Sequence, residues 1–301
     1  MKIAIFQIRP GIGDMCLFKP YIEVIHKKYN SKLFLFTKKR SSAKILFQYS
    51  SSIEKIFYID EFLKLKNLFK FIKFLKDMNF DKAFIFSYSK KISLILSLAK
   101  INNILKYNKR HMNLGISKEA EIFLRDKLEQ KNIDINCSLE TRDNILPETK
   151  DQFVIGIGGS GPDKKWPVNF YIELIKKISE IKNYTFVIAG GHKEKKDFEL
   201  IKKELSNLEL LSLCEFEIDK CIEIIEGSKL YVGNDTGFMH ISGLLGINTI
   251  GLFGDTSLEY AAYNKKIITI SPDETLKSES NDFLIKKLSV SKVYDEVINY
   301  I

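Results

Sequence analysis

Tyr231–Val232–Gly233–Asn234–Asp235–Thr236–Gly237–Phe238–Met239–His240, continued by Ile241–Ser242–Gly243–Leu244–Leu245–Gly246, decides how this chain is read. It opens as a short apolar strand, turns between two glycines and then takes up a helical pattern. Asp235 and Thr236 are both good N-cap residues, and Gly237 lets backbone N–H groups come close to a ligand. Unpaired N–H groups at a helix start carry partial positive charge and suit a phosphate or diphosphate. A plain helix cap explains the same residues. The stretch therefore fixes a strand–loop–helix unit and leaves its ligand to the rest of the chain.

Working outward, the same grammar fills residues 148–301. Phe153 to Ile157 reads as a strand, followed by the glycine-rich loop Gly158–Gly159–Ser160–Gly161–Pro162–Asp163–Lys164–Lys165–Trp166–Pro167 and a helix from Val168 to Ile181. Strand Thr185 to Ala189 leads into Gly190–Gly191–His192 and a charged helix from Lys195 to Leu205. After the Asp235 unit come strands at Thr249 to Phe253 and Ile267 to Ser271, with Gly254–Asp255–Thr256–Ser257 between them, and a terminal helix from Val290 to Ile301. Three glycine-bearing loops after parallel strands should open together on the carboxyl edge of one sheet, where such folds bind ligands. Lys164 and the helix start at Gly237 can then hold a diphosphate between them.

Residues 1–147 repeat the alternation. Lys2 to Ile8 is a run of β-formers that reads as a buried parallel strand. Arg9–Pro10–Gly11–Ile12–Gly13–Asp14 follows as a turn, with a helix from about Met15 to Tyr29. The glycines do not make a dinucleotide G-x-G-x-x-G. Asp14, at the mouth of this loop, is a candidate catalytic group and equally a candidate helix cap. The polar stretch 142–152 is where the two domains should join, which predicts an α/β protein of two Rossmann-like domains with parallel sheets. The terminal helix is left free to pack back on the first domain.

Composition narrows the function. At 301 residues, 45% hydrophobic and 28% charged, the chain has the profile of a soluble globular protein. No run reaches the ~20 apolar residues of a membrane span, and the N-terminus lacks signal-peptide grammar, so a cytoplasmic protein is expected. Cys16, Cys137, Cys214 and Cys221 have neither metal-ligand nor disulfide-framework spacing, and they read as reduced thiols. Residues 1–150 carry 29 Lys+Arg against 15 Asp+Glu, whereas residues 151–301 carry 18 against 23. A basic first half predicts an anionic partner there. The basic loop Lys106–Tyr107–Asn108–Lys109–Arg110–His111 could hold it, though a solvated charge run is the commoner explanation of such a stretch. Nucleic acid is not expected, because no recognition motif accompanies the charge.

Between Phe62 and Asn79 the spacing predicts an amphipathic helix. Lys66, Lys70, Lys73 and Asp77 share a polar face, while Leu65, Leu68, Phe69, Ile72 and Leu75 form the opposite stripe. Packing on the sheet is the favoured reading, with a helix lying on a membrane surface as the second.

With these pieces together, the chain resembles glycosyltransferase family 9, the family of the lipopolysaccharide heptosyltransferases. The resemblance is carried by Ile8–Arg9 with Ile12–Gly13–Asp14 and Pro20, by Lys164-x-Trp166–Pro167 with Phe170, and by Gly233-x-Asp235–Thr236–Gly237-x-Met239–His240 before Leu252–Phe253–Gly254-x-Thr256. It implies a GT-B fold, two Rossmann-like domains facing each other across a cleft, the first (1–147) binding acceptor and the second (148–301) binding donor. It implies metal-independent, inverting transfer of a sugar, heptose from ADP-heptose, onto a lipopolysaccharide or lipooligosaccharide core, with no cofactor besides the nucleotide sugar. The partners implied are that nucleotide sugar, an anionic glycolipid acceptor of the lipid A–core type, and peripheral contact with the cytoplasmic face of the inner membrane.

By the same resemblance Asp14 matches the general base, and Lys164, Asp235, Thr236 and Gly237 match the donor-phosphate site. Gly158, Gly190, His192 and Glu194 are the candidates for the donor nucleoside; for the acceptor the candidates are Arg9 and Gly13 of the matched turn, Lys19 in the helix after it, and Lys109 and Arg110 of the basic loop. His240 is expected to be structural. The chain departs from the family's pattern at Arg9–Pro10–Gly11, at Phe18–Lys19, and at His192, which stands about where a ribose-binding glutamate is usual. A nucleotide-sugar binder without turnover, or a family 9 transferase using another nucleotide sugar, are the alternatives.

Overall fold

The computed structural model describes residues 1–107, 114–142, 150–254, 257–273 and 283–301. The chain forms two compact units, Met1–Arg142 and Asp143–Ile301. In the first, β1 (Ile3–Phe6), α1 (Ile12–Tyr29), β2 (Leu33–Thr37), α2 (Ala43–Leu46), β3 (Ile53–Tyr58), α3 (Leu68–Met78), β4 (Lys82–Ile85), α4 (Lys90–Leu98), β5 (Ile104–Lys106) and α5 (Ile116–Leu128) follow in turn. All five strands are parallel, in the order β3-β2-β1-β4-β5. β1 is buried along its whole length, which is why its four residues Ile–Ala–Ile–Phe show no alternation. Phenylalanine fills one face of this sheet: Phe6 stacks on Phe36 with ring centroids 4.6 Å apart, and Phe71 and Phe80 close around Phe36.

The second unit runs β6 (Lys150–Gly156), α6 (Val168–Ser179), β7 (Thr185–Ala189), α7 (Lys195–Glu204), β8 (Leu210–Ser212), α8 (Ile218–Ile225), β9 (Ser228–Asn234), α9 (Gly237–Leu244), β10 (Asn248–Leu252), β11 (Ile267–Ile270) and α10 (Val290–Ile298). Its parallel sheet has the order β11-β10-β9-β6-β7-β8. Both sheets thus reverse direction beside their first strand, between β1 and β4 in one unit and between β6 and β9 in the other. Loops leaving the carboxyl ends of those strand pairs border the crevice where doubly wound sheets take ligands.

Several boundaries move. α1 begins at Ile12, inside the expected turn, so Gly13 and Asp14 are helical. β6 begins at Lys150, taking in the last residues of the expected connection. β5, only three residues on the sheet edge, had no periodicity to reveal it. The terminal helix α10 buries Val290, Val293 and Val297 with α6 in the core of its own unit. Among the described residues no helix is long and apolar enough to cross a membrane.

Candidate active site

In the second unit β6 and β9 approach unusually closely. Gly156 and Gly233 are paired across the ladder, and a Cβ on Gly233 would collide with the Gly156 backbone. The three expected loops meet above them. A Cβ on Gly158 would lie 3.7 Å from Thr236 Cγ2 and 3.8 Å from Gly190 Cα, so the loops after β6, β7 and β9 are in contact. Gly254, after β10, reaches the same place: a Cβ there would stand 3.2 Å from Asp163 O. Asp255 and Thr256 lie outside the described residues.

Two consecutive lysines of the β6 loop turn in opposite directions. Lys164 Nζ donates to Asp235 Oδ2 at 3.2 Å, toward the β9 side. Lys165 Nζ pairs with Glu194 Oε1 at 2.7 Å and reaches Asp197 Oδ2 at 3.8 Å, toward the β7 side. The Asp235 carboxylate is 7% exposed and Lys164 is 32% exposed. Burial pushes the Asp235 carboxyl up, but His240 and Lys164 outweigh it and hold the group below the usual carboxylate range. His240 is buried, with Nε2 3.6 Å from Asp235 Oδ1 and Nδ1 hydrogen-bonded to Tyr263 OH at 2.9 Å. It packs under the loop, as a structural residue would, and also backs the carboxylate.

Asp235 does not cap the helix. The N-cap is Thr236, in extended conformation, with no side-chain cap hydrogen bond. Thr236 Oγ1 instead lies 3.5 Å from Tyr231 OH. The start of α9 at Gly237 is therefore uncapped by any side chain, beside a lysine already held in place.

Gly190 and Glu194, expected at the donor, also have packing roles. Gly190 is needed because a Cβ would come 2.8 Å from Glu194 Cβ and 3.3 Å from Ile157 Cγ1. Glu194 is buried, and both of its oxygens are engaged, Oε2 accepting the Gly191 N–H at 2.9 Å and Oε1 holding Lys165. His192 opens the short 3₁₀ turn His192–Glu194 and is exposed.

In the first unit Asp14 is the third residue of α1. Its Oδ2 accepts the Gly11 N–H at 3.3 Å and its Oδ1 accepts from Arg9 Nε at 2.7 Å. Asp14 thus has a capping role at the start of α1, with Gly13 contributing backbone in the same turn. Lys19 corrects the expectation of an acceptor contact. It is buried, ion-paired to Glu23 and 3.5 Å from Glu140 Oε2, with Ser50 Oγ at 3.4 Å. About two turns into the helix, its side chain points into the unit and bridges two carboxylates. Burial pushes the Glu140 carboxyl up, and hydrogen bonds from Ser51 with the Lys19 charge hold it below its ordinary value. Lys109 and Arg110 lie outside the described residues.

Asn234 is the residue that motif reading passed over. Fully buried at the end of β9, its Oδ1 accepts the Trp166 N–H at 3.0 Å and the Tyr171 hydroxyl at 2.9 Å. Its Nδ2 donates to Gly158 O at 2.8 Å and Ile157 O at 3.2 Å. One side chain thus fixes both ends of the loop that carries Lys164. Its place between Gly233 and Asp235, a polar residue closing an apolar strand, was the available signal. Trp166, whose indole N–H donates to Leu288 O at 2.8 Å, anchors the same loop in the core.

Several known proteins are similar to this chain. The chain is 23% identical over 267 residues to lipooligosaccharide heptosyltransferase 2 of Campylobacter jejuni serotype O:2, covering 85% of this chain and 82% of that protein. The solved ADP-heptose lipopolysaccharide heptosyltransferase II of E. coli superposes with a TM-score of 0.77 at 17% identity, covering 100% of this chain and 98% of that one. The E. coli heptosyltransferase WaaC with ADP-2-deoxy-2-fluoro heptose superposes with a TM-score of 0.76 at 14% identity over the whole of both chains. Both superpositions share the fold, which is GT-B with two parallel α/β units. The model of glycosyltransferase family 9 (heptosyltransferase) matches residues 91–283, well over half of the chain. That match is what shows the family: the chain is a glycosyltransferase of family 9, the heptosyltransferase family.

Proposed function

We propose that this transferase moves heptose from ADP-heptose, with inversion, onto the core of an anionic lipopolysaccharide or lipooligosaccharide acceptor. One observation carries the donor half: Lys164, a third exposed, is held 3.2 Å from Asp235 beside the uncapped start of α9. An arriving diphosphate meets a positioned cation and free N–H groups together. Names of similar proteins support the sugar and the acceptor class, since the Campylobacter relative is a lipooligosaccharide heptosyltransferase and a structure of the same fold holds an ADP-heptose analogue.

In this reading residues 148–301 hold the donor and residues 1–147 the acceptor. The acceptor hydroxyl oxygen forms a bond to the anomeric carbon as the bond to the diphosphate oxygen breaks. Its proton passes to the Asp14 carboxylate, and the electron pair leaves on the diphosphate. Lys164 and the N–H groups of Thr236 and Gly237 stabilise the charge that develops there. Arg9, already paired to Asp14, sits at the acceptor end. The work is done at the cytoplasmic face of the inner membrane.

Thermal unfolding with ADP, UDP, GDP and CMP compounds tests the donor half. A ligand at about 100 times its dissociation constant adds roughly 2.7 kcal/mol of stability. A shift selective for ADP compounds is expected. Selectivity for another base overturns ADP-heptose as donor, and no shift with any compound overturns the diphosphate site. Transfer of heptose from ADP-heptose to a heptose-deficient core then tests the reaction.

A further inference from the structure

The sequence pattern put Leu65 and Phe69 in the buried stripe of the Lys/Phe-rich segment, but in the fold both side chains are 86% exposed. α3 is seated instead by Phe71 and Leu75, with Leu68, Ile72, Phe74 and Met78 partly buried around them. Ridge positions one turn apart on the outside are left to Leu65 and Phe69. The adjacent α4 repeats the arrangement. Ile92, Ile95 and Leu96 are buried, whereas Leu94 and Leu98, four residues apart, are 61% and 55% exposed. Lys91 Nζ donates to Leu63 O at 2.9 Å and ties the start of α4 to the turn before α3. Four large apolar side chains, Leu65 on the short turn before α3, Phe69 on α3, and Leu94 and Leu98 on the neighbouring α4, are left exposed, beyond the single exposed residues that soluble proteins scatter.

Charge surrounds them. From Phe62 to Lys100 the chain has nine lysines and two acidic residues, Asp77 and Asp81. Lys66, Lys70, Lys73, Lys90 and Lys91 are all exposed. Asp81 is occupied, accepting the Lys2 backbone N–H at 2.7 Å. A second copy of this face would bring lysine against lysine, which disfavours a symmetric dimer through it. An apolar surface rimmed by lysine fits a layer that is apolar beneath and anionic above.

We infer that the outer face of α3 and α4 docks on an anionic phospholipid surface, Leu65, Phe69, Leu94 and Leu98 entering the headgroup boundary and the lysines meeting lipid phosphates. Topology gives this face a use. In a parallel sheet each helix starts at the carboxyl edge of the strand before it, so Leu65, Phe69, Lys90 and Lys91 lie toward the edge that also carries the Arg9–Asp14 turn. A lipid-borne acceptor would be met at that edge. This last point rests on the proposed acceptor, whereas the docking rests on exposure and charge alone.

Flotation of the full chain with vesicles of phosphatidylcholine, with and without phosphatidylglycerol, tests it in the absence of any glycolipid. Binding to the anionic vesicles, weakening as salt rises, is expected. Leu65→Gln with Phe69→Gln should lower the partition constant roughly tenfold, and Lys66→Gln with Lys70→Gln about as much. Because these side chains are outside the core, the variants should unfold at the wild-type temperature, which separates lost binding from lost folding. Equal binding to neutral vesicles, no binding to either, or a concentration-dependent dimer abolished by the Leu65/Phe69 pair would each overturn the inference. Heptose transfer to a delipidated core oligosaccharide is assayed in parallel. Transfer without vesicle binding removes the docking face, and vesicle binding without transfer removes the proposed reaction.

Discussion

Asn234 Oδ1 accepts the backbone N–H of Trp166 at 3.0 Å, joining the end of β9 to the far end of the loop that carries Lys164. With Tyr171 OH on the same oxygen and Gly158 O on the amide nitrogen, this side chain is the internal template of the donor loop. Asn234→Ala leaves a buried N–H and two buried carbonyls unpaired, and such groups cost about 1–3 kcal/mol each when stranded. A loss of at least about 3 kcal/mol in urea unfolding is expected, together with loss of the ADP-induced thermal shift.

Lys164→Met should act at low pH. Folded Asp235 titrates below its usual value of 3.8, so its contribution to stability is present above that value and is lost as pH falls through the lower folded one. Removing Lys164 takes away one of the groups holding the carboxyl down. Acid unfolding of the variant should therefore begin at higher pH than that of the wild type, and adding Asp235→Asn should remove the difference. An unchanged acid midpoint in Lys164→Met would mean that the 3.2 Å pair contributes nothing.

Asp14→Asn keeps an oxygen for the Gly11 N–H and removes the base. Transfer should fall by about 10²–10⁴-fold, with the nucleotide thermal shift retained and stability changed by less than about 1 kcal/mol, the scale of a helix-terminal charge. Activity at the wild-type level would dismiss Asp14 as the proton acceptor.

Lys19→Met tests the interior role of that residue. Glu23 and Glu140 would be left without their shared cation in a mostly buried pocket, and breaking such a pair costs about 3–5 kcal/mol. Urea unfolding should show a loss of that order, with the KM for acceptor unchanged in the fraction that folds. A folded, fully stable variant with raised acceptor KM would restore Lys19 to the acceptor site.

Much of this was legible in the residues. Continuous apolar runs such as Ile3–Phe6 and Thr185–Ala189 announce buried parallel strands, and the glycine-bearing loops after β6, β7 and β9 meet as that reading requires. What periodicity does not carry is direction at short range. Lys164 and Lys165 are identical in sequence terms, yet one meets Asp235 and the other Glu194. Lys19 looked like a polar departure near a loop and proved to be interior, because its partners Glu23 and Glu140 are 4 and 121 residues away along the chain. Leu65 and Phe69 satisfied a helical stripe, but a sheet can cover only one flank of a helix, and Phe71 and Leu75 took it.

The early start of α1 reaches beyond the boundary itself. A carboxylate on a loop would be placed by the loop's own turns, whereas Asp14 is placed by everything that grips α1. Phe18, one turn further on, packs against Phe86 at 5.0 Å and Tyr21 at 6.3 Å between centroids, and the Tyr21 hydroxyl is anchored to Ser117 O at 2.9 Å. The aim of the acidic group is thereby set by aromatic rings in the interior. A change of shape at Phe18, which is fully buried, would tilt the helix as a rigid rod and swing the carboxylate with it.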